Sequence, residues 1–305
     1  MDIMIVAEKM FQLFIIIGIG FIFGKTKLFS DDFHSQLTQF VLNLTMPCMI
    51  ISSVMTSNQK TSLALFDILI STFILIVLLP IFAYICIKIL PFRKNQGLYM
   101  FMMMYPNVGF MGFPLMQAIF GNESILSTAI VNMAFNLSLF SLGTMVMNYE
   151  NNQHLTFDFK SLLSPGILAS LLAIMIYIFQ LQFPSTMIES LTLIGNMTTP
   201  LAMMIIGTTL ATYSLKDIFY DSKVYVFSGF INLLIPILFY PIINYLLIDP
   251  MIKGITLIIL AMPVANGAVL FAKTYQQDEF LAAKTVFIST LLGIVTIPFL
   301  IYLLK

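Results

Sequence analysis

Stretches of roughly 20 mostly apolar residues recur from one end of this chain to the other, and few folds can accommodate them. A run of that length crosses the hydrocarbon layer as a helix, and a helix satisfies its own backbone groups where no water can reach them. Such stretches are read at residues 10–24, 35–56, 64–88, 97–120, 124–148, 163–181, 190–213, 222–247, 252–275 and 280–303. Of 305 residues, 59% are hydrophobic and 9% charged, against about a quarter charged in a soluble domain. The sequence therefore predicts an all-α integral membrane protein with about ten transmembrane helices.

The first stretch follows Asp2, Glu8 and Lys9 and lacks a small-residue cleavage site, so it is expected to stay in place as a helix. With ten spans, one side of the membrane holds Lys25, Lys27, Lys88, Arg93, Lys94, Lys160, Lys216, Lys223, Lys273 and Lys284, and the other holds Lys9, Lys60, Lys253 and Lys305. The richer side is expected in the cytoplasm and both termini outside. Connections are short, the longest at 149–162. A formal net charge of zero and the lack of a basic tract argue against a nucleic-acid partner. Cys48 and Cys86 both fall within spans and read as small buried residues.

The pentapeptide "NLTMP" at 43–47 returns as "NMTTP" at 196–200, an offset of 196 − 43 = 153 residues. Further on, "YPNVGFMGFP" carries Pro106 into span 4 and "MPVANGA" carries Pro263 into span 9, at 263 − 106 = 157. Thr128, Asn132 and Asn136 in span 5 keep that offset to Thr285, Ser289 and Gly293 in span 10. The chain thus reads as two five-helix repeats, 1–150 and 151–305. Five being odd, the second copy enters from the opposite side, so the repeats are inverted. Inverted repeats with a discontinuous helix in each are a recurring plan of secondary transporters.

Pro106, with Gly109, Gly112 and Pro114 after it, breaks span 4, and Pro263, Asn266 and Gly267 break span 9. Backbone freed at such a break must be met by protein, water or a ligand, and the positive end of each following half-helix suits an anion.

With these residues in view, "PNVGFMGFPL", "AMPVANGAVLFAKTY" and the Asn-x-Thr-x-Pro segments resemble the auxin efflux carrier family, which includes plant auxin exporters and bacterial permeases for malate and similar organic acids. The resemblance covers essentially the whole chain. It implies spans 1, 2, 6 and 7 as a scaffold, usually dimeric, and spans 3–5 and 8–10 as a moving transport domain. It also carries the proline-centred crossover onto Pro106 and Pro263, with Asn107 as a substrate-contacting amide. The long central cytoplasmic loop of the plant members is missing, and the compact form fits a carrier of a bacterial cytoplasmic membrane.

Several side chains admit two readings. Asn43 and Asn196 begin formal glycosylation sequons, but both lie mid-span, where no sugar is added. Around Pro47 and Pro200, Asn and Thr either patch the kinked backbone or line the site. Amides at an unwound midpoint, Asn107 and Asn266, point to ligand contact, whereas Asn132 and Asn136 serve equally as interhelical hydrogen-bonding groups. Gln36, Gln39 and Asn43 form a further polar face, read as packing. Asp67 is the acidic candidate for a gate or proton site, or for a simple helix cap. Glu189 reads as a cap on span 7, and Lys273 as a side chain reaching the cytoplasmic interface.

The 22 methionines, "MFMMMY" at 100–105 among them, read as adaptable packing around a moving helix rather than a metal path, with His34 and His154 in or near loops. No HExxH, GxSxG or Walker pattern indicates an enzyme, a cofactor or a metal centre. The expectation is a carrier of a small organic anion working by alternating access. A passive channel, a partnered sensor and a sodium-coupled bile-acid-type symporter are the other classes with these spans.

Overall fold

A computed structural model describes residues 3–26, 31–56, 62–89, 94–148, 165–212 and 221–303. Lys27, Lys60, Arg93, Lys160, Lys216 and Lys305, part of the charge count, lie outside the described residues, as do His154 and the connection at 149–162.

The helices in chain order are α1 (Ile3–Lys25), α2 (Asp31–Phe40), α3 (Met46–Thr56), α4 (Ser62–Phe73), α5 (Leu79–Ile89), α6 (Gln96–Met104), α7 (Phe113–Phe120), α8 (Glu123–Ser138), α9 (Thr144–Met147), α10 (Pro165–Phe179), α11 (Ser185–Asn196), α12 (Thr198–Ala211), α13 (Ser222–Gly229), α14 (Ile235–Leu246), α15 (Pro250–Ala261), α16 (Gly267–Thr274) and α17 (Glu279–Leu303). Each apolar stretch expected from the sequence carries helix. Among the described residues five continuous helices are long and apolar enough to cross a membrane, Asp32–Met55, Phe66–Ile89, Ser185–Ala211, Ser222–Leu246 and Glu279–Tyr302, and the bent pair Glu123–Ser138 and Ser141–Met147 would make a sixth. Shorter apolar helices run over Phe11–Lys25, Val108–Phe120, Pro165–Phe179 and Pro250–Ala261. Because α11 starts at Ser185, Glu189 is an exposed residue inside the helix, which corrects its reading as a cap.

Wide π turns link several of these helices, at Val41–Thr45, Ile74–Leu78, Val108–Gly112, Leu139–Gly143 and Phe230–Leu234. Four of the five are centred four residues before a proline: Asn43 before Pro47, Ile76 before Pro80, Phe110 before Pro114 and Asn232 before Pro236. Proline lacks the N–H that residue i−4 needs, and its ring collides with that residue's carbonyl. Widening the turn by one residue relieves the collision and passes bonding to donors five residues on, as where Met46 N–H donates to Val41 O.

The chain divides into two compact units. The first comprises residues 1–61, 109–133 and 162–214. In it α1 and α12 pack at backbone contact: a Cβ on Gly207 would lie 2.1 Å from Ile17 O, and one on Gly20 would lie 2.4 Å from Met204 O. Gly20 and Gly24 face Met204, Thr208 and Ala211, so small residues four apart line both helices and let the backbones meet. A Cβ on Gly195 would lie 2.7 Å from Met49 Cα, so α11 and α3 meet at backbone distance next to the two Asn-x-Thr-x-Pro segments. Between helices, His34 Nε2 pairs with Thr209 Oγ1 at 3.1 Å, and Thr199 Oγ1 donates to Gln117 Oε1 at 2.9 Å.

The second unit comprises residues 62–108, 134–161 and 215–305. Phe82 stacks on Phe230 and meets Phe239 edge-on, while Ser71 and Thr256 share a buried hydroxyl contact of 2.6 Å. Met100, Met102, Met103 and Met104 of α6 are buried in this core. Lys284 lies 3.6 Å from Asp221 and 4.2 Å above the Phe280 ring.

Candidate functional site

The segments around Pro106 and Pro263, both in the second unit, leave the helical path. α6 ends at Met104, and the chain is non-helical from Tyr105 to Asn107; α15 ends at Ala261, and α16 resumes at Gly267. The two breaks lie antiparallel, with Pro106 bridged to Val264. Asn107 N–H donates to Pro263 O at 2.8 Å, and Ala265 N–H donates to Tyr105 O at 3.0 Å. Two backbone segments that lost their helical partners thus satisfy each other, as a low-dielectric interior requires.

Side chains from neighbouring helices brace this pair. Tyr105 OH donates to Ser138 O at 2.9 Å, and its ring tilts against Phe101 at 4.7 Å between centroids. Val264 N–H donates to Ser289 Oγ of α17 at 3.2 Å. Ser289 O accepts from Asn232 Nδ2 at 2.6 Å, and Ser289 and Asn232 are both fully buried.

Of the residues expected to contact substrate, Pro106, Asn107 and Pro263 come together here, with Asn107 only 3% exposed. Asn266 flanks them at the start of α16, half-buried, with a side chain that makes no cap. Gly267 follows it, exposed, with nothing within 4 Å of a Cβ. At the head of this half-helix Ala268 N–H donates to Ala265 O and Val269 N–H to Asn266 O, while among the described residues the N–H groups of Asn266 and Gly267 have no backbone acceptor. In the first unit, Gly109 lies in a π turn where a Cβ would come 3.9 Å from Oδ1 of the buried Asn132. Asn136, in the second unit, is half-buried.

At the other paired motif, the distortion sits one turn before each proline. Asn43, exposed, centres a π turn, while Asn196, also exposed, ends α11, with a tight bond from Met197 N–H to Ile194 O. Pro47 is half-buried and Pro200 exposed, and the buried member of each motif is its threonine, Thr45 or Thr198. Gln36, Gln39 and Asn43 are exposed rather than packed against a helix of their own unit, a correction to the packing reading.

Asp67 is 2% exposed and accepts through Oδ2 from the N–H groups of Ile248 and Asp249. Asp249 in turn accepts from Met251 N–H and Ile252 N–H at the head of α15. The carboxylate pins the connection that leads into the broken helix.

Asn232 was missed in the sequence, where a lone amide in "FINLLIP" has no periodic signal; Pro236, four residues later, is the cue. The close packing of α1 was legible in "GFIFG" at 20–24, a small-xxx-small pattern.

The sequence profile of a family described as membrane transport protein matches this chain twice, over residues 5–157 and 155–301. An uncharacterized transporter of Methanocaldococcus jannaschii is 23% identical over 96% of this chain and 97% of its own length. One from Methanothermobacter thermautotrophicus is 25% identical, covering 95% and 96%. The uncharacterized transporter YfdV of Escherichia coli is 22% identical over 66% of this chain and 68% of its own.

Proposed function

This chain belongs to the membrane transport protein family, the auxin efflux carrier-like transporters, and from that premise we propose that it is a secondary carrier of a small organic anion such as malate. The observation that carries the proposal is the pairing of the breaks at Pro106 and Pro263, one from each matched stretch. A backbone opened at mid-helix, with amides Asn107 and Asn266 beside it and the head of α16 following, offers N–H donors to a carboxylate. Among the described residues it does so without a buried Arg or Lys, and neutral donors release an anion more readily than a fixed cation does.

In this reading the chain has ten spans in two inverted repeats, at 1–150 and 151–305. Spans 1, 2, 6 and 7 form a dimeric scaffold, while spans 3–5 and 8–10 carry substrate by alternating access. The division into units supports the reading: spans 1, 2, 6 and 7 fall in the first unit and spans 3, 8, 9 and 10 in the second, with spans 4 and 5 divided. The setting proposed is a bacterial cytoplasmic membrane with both termini outside.

The test is uptake of labelled malate and related acids into proteoliposomes. Saturable uptake by the wild type, lost in an Asn107→Ala, Asn266→Ala double variant that still folds, is the expected result. Equal uptake by the two proteins would sink the proposed site, and ion current without saturation would mark a channel instead.

A further inference from the structure

Asn232 is fully buried, and its Nδ2 donates to Ser289 O at 2.6 Å. Only the amide nitrogen can donate to a carbonyl, so this bond fixes how the amide is turned and directs Oδ1 elsewhere. Among the described residues Oδ1 has no partner, and neither has the hydroxyl of buried Ser228 one turn earlier. An unmatched buried acceptor is costly to keep where an apolar side chain would fit.

At the corresponding place in the first repeat the side chain is apolar. The π turn at Ile74–Leu78 matches that at Phe230–Leu234 with an offset of 230 − 74 = 156, which sets Ile76 opposite Asn232; the crossover offset of 157 sets Leu75 there instead. Either way, an aliphatic residue fills the place. The amides of the first repeat stand on span 5, at Asn132 and Asn136, where the second repeat has Ser289 and Gly293. A Cβ on Gly293 would lie in ordinary contact, 3.7 Å from Asn232 Nδ2 and 3.8 Å from Pro263 Cδ, so position 293 adjoins both the amide that span 8 supplies and the crossover.

We propose that Asn232 is a positioning residue for transport: through Ser289, whose hydroxyl accepts from Val264 N–H, it holds the second crossover segment in the geometry that receives substrate. This rests on the carrier reading above for its link to transport, but the hold itself is measurable without it. Ser289 is the hinge of the arrangement, bound to span 8 by its carbonyl and to the crossover by its hydroxyl.

The experiment is hydrogen–deuterium exchange of residues 262–267 in the reconstituted full chain, alongside thermal unfolding and initial-rate uptake of labelled malate. Asn232→Leu is expected to leave the unfolding temperature unchanged or raised, while exchange in 262–267 accelerates about ten-fold and Vmax falls more than affinity. Ser289→Ala, which removes only the accepting hydroxyl, should accelerate the same peptide. Moving the amide back to the place it has in the first repeat, as Asn232→Ala with Gly293→Asn, should restore slow exchange and uptake to within about three-fold of wild type. Unchanged exchange in both single variants overturns the proposal, as does a folded double variant that exchanges as fast as Asn232→Leu. If the wild type carries none of the acids tested, the carrier reading fails while the exchange rates still decide whether Asn232 holds the crossover.

Discussion

Asn107 and Pro263, one from each matched stretch, are joined by a 2.8 Å hydrogen bond from the Asn107 N–H to the Pro263 carbonyl. The bond separates two roles of Asn107, since its backbone holds the crossover and, in the carrier reading, its side chain is the part that would meet the ligand. Replacing it with alanine keeps the first and deletes the second. Asn107→Pro deletes both, and leaving Pro263 O without its donor should cost about 1–3 kcal/mol. Thermal unfolding in detergent is expected to fall for Asn107→Pro and to hold for Asn107→Ala, with uptake lowered in both. A proline variant as stable as the wild type would show that the bridge contributes nothing.

Asp67 makes a sharper stability prediction. Its carboxylate satisfies two backbone N–H groups in the connection before α15, so Asp67→Ala strands both donors and should cost about 2–5 kcal/mol. Asp67→Asn retains an acceptor oxygen and should recover most of that loss. If the asparagine variant folds and transports with the wild-type pH profile, the residue pins the connection; a transport defect at normal stability would make it a proton or gating group.

Glycine substitutions in α1 and α12 test close packing. Gly207→Val places a branched side chain where even a Cβ meets Ile17 O at 2.1 Å, so the helices must separate, at about 3 kcal/mol or more. Gly18→Ala, on the same pair of helices but with nothing within 4 Å of its Cβ, should be neutral or slightly stabilising. Expression level and unfolding temperature of the two variants should differ widely.

The surface pair Lys284 and Asp221 should matter little. At 3.6 Å and partly exposed, it is expected to contribute under about 1 kcal/mol, and Lys284→Met keeps the packing against Phe280. An unfolding temperature within a few degrees of wild type is the expected outcome.

Much of this was legible in the sequence because membrane burial writes itself in composition and proline punctuates helices. Pro106 and Pro263 marked the breaks, and their shared offset marked the duplication. Their pairing was not legible: which two segments supply each other's lost hydrogen bonds depends on packing, and no local pattern encodes it. Nor was the partner of Asp67, which lies 181 and 182 residues away along the chain. At the Asn-x-Thr-x-Pro motifs, where Asn43, Pro47, Asn196 and Pro200 were read together as kinks, the irregular backbone lies at Asn43 and Asn196, four residues before each proline, because proline removes the donor for that carbonyl.

The π turns before Pro80 and Pro236 constrain where the rest of each span can point. An extra residue in a helix rotates everything beyond it by about 100°, so such a turn cannot be gained or lost without re-aiming half a span. The same turn stands at Ile74–Leu78 and Phe230–Leu234, 156 residues apart, so each matched stretch carries the same re-aiming. What differs between the two is chemical: the distorted turn centres on an aliphatic side chain, Ile76, in one stretch and on the amide of Asn232 in the other.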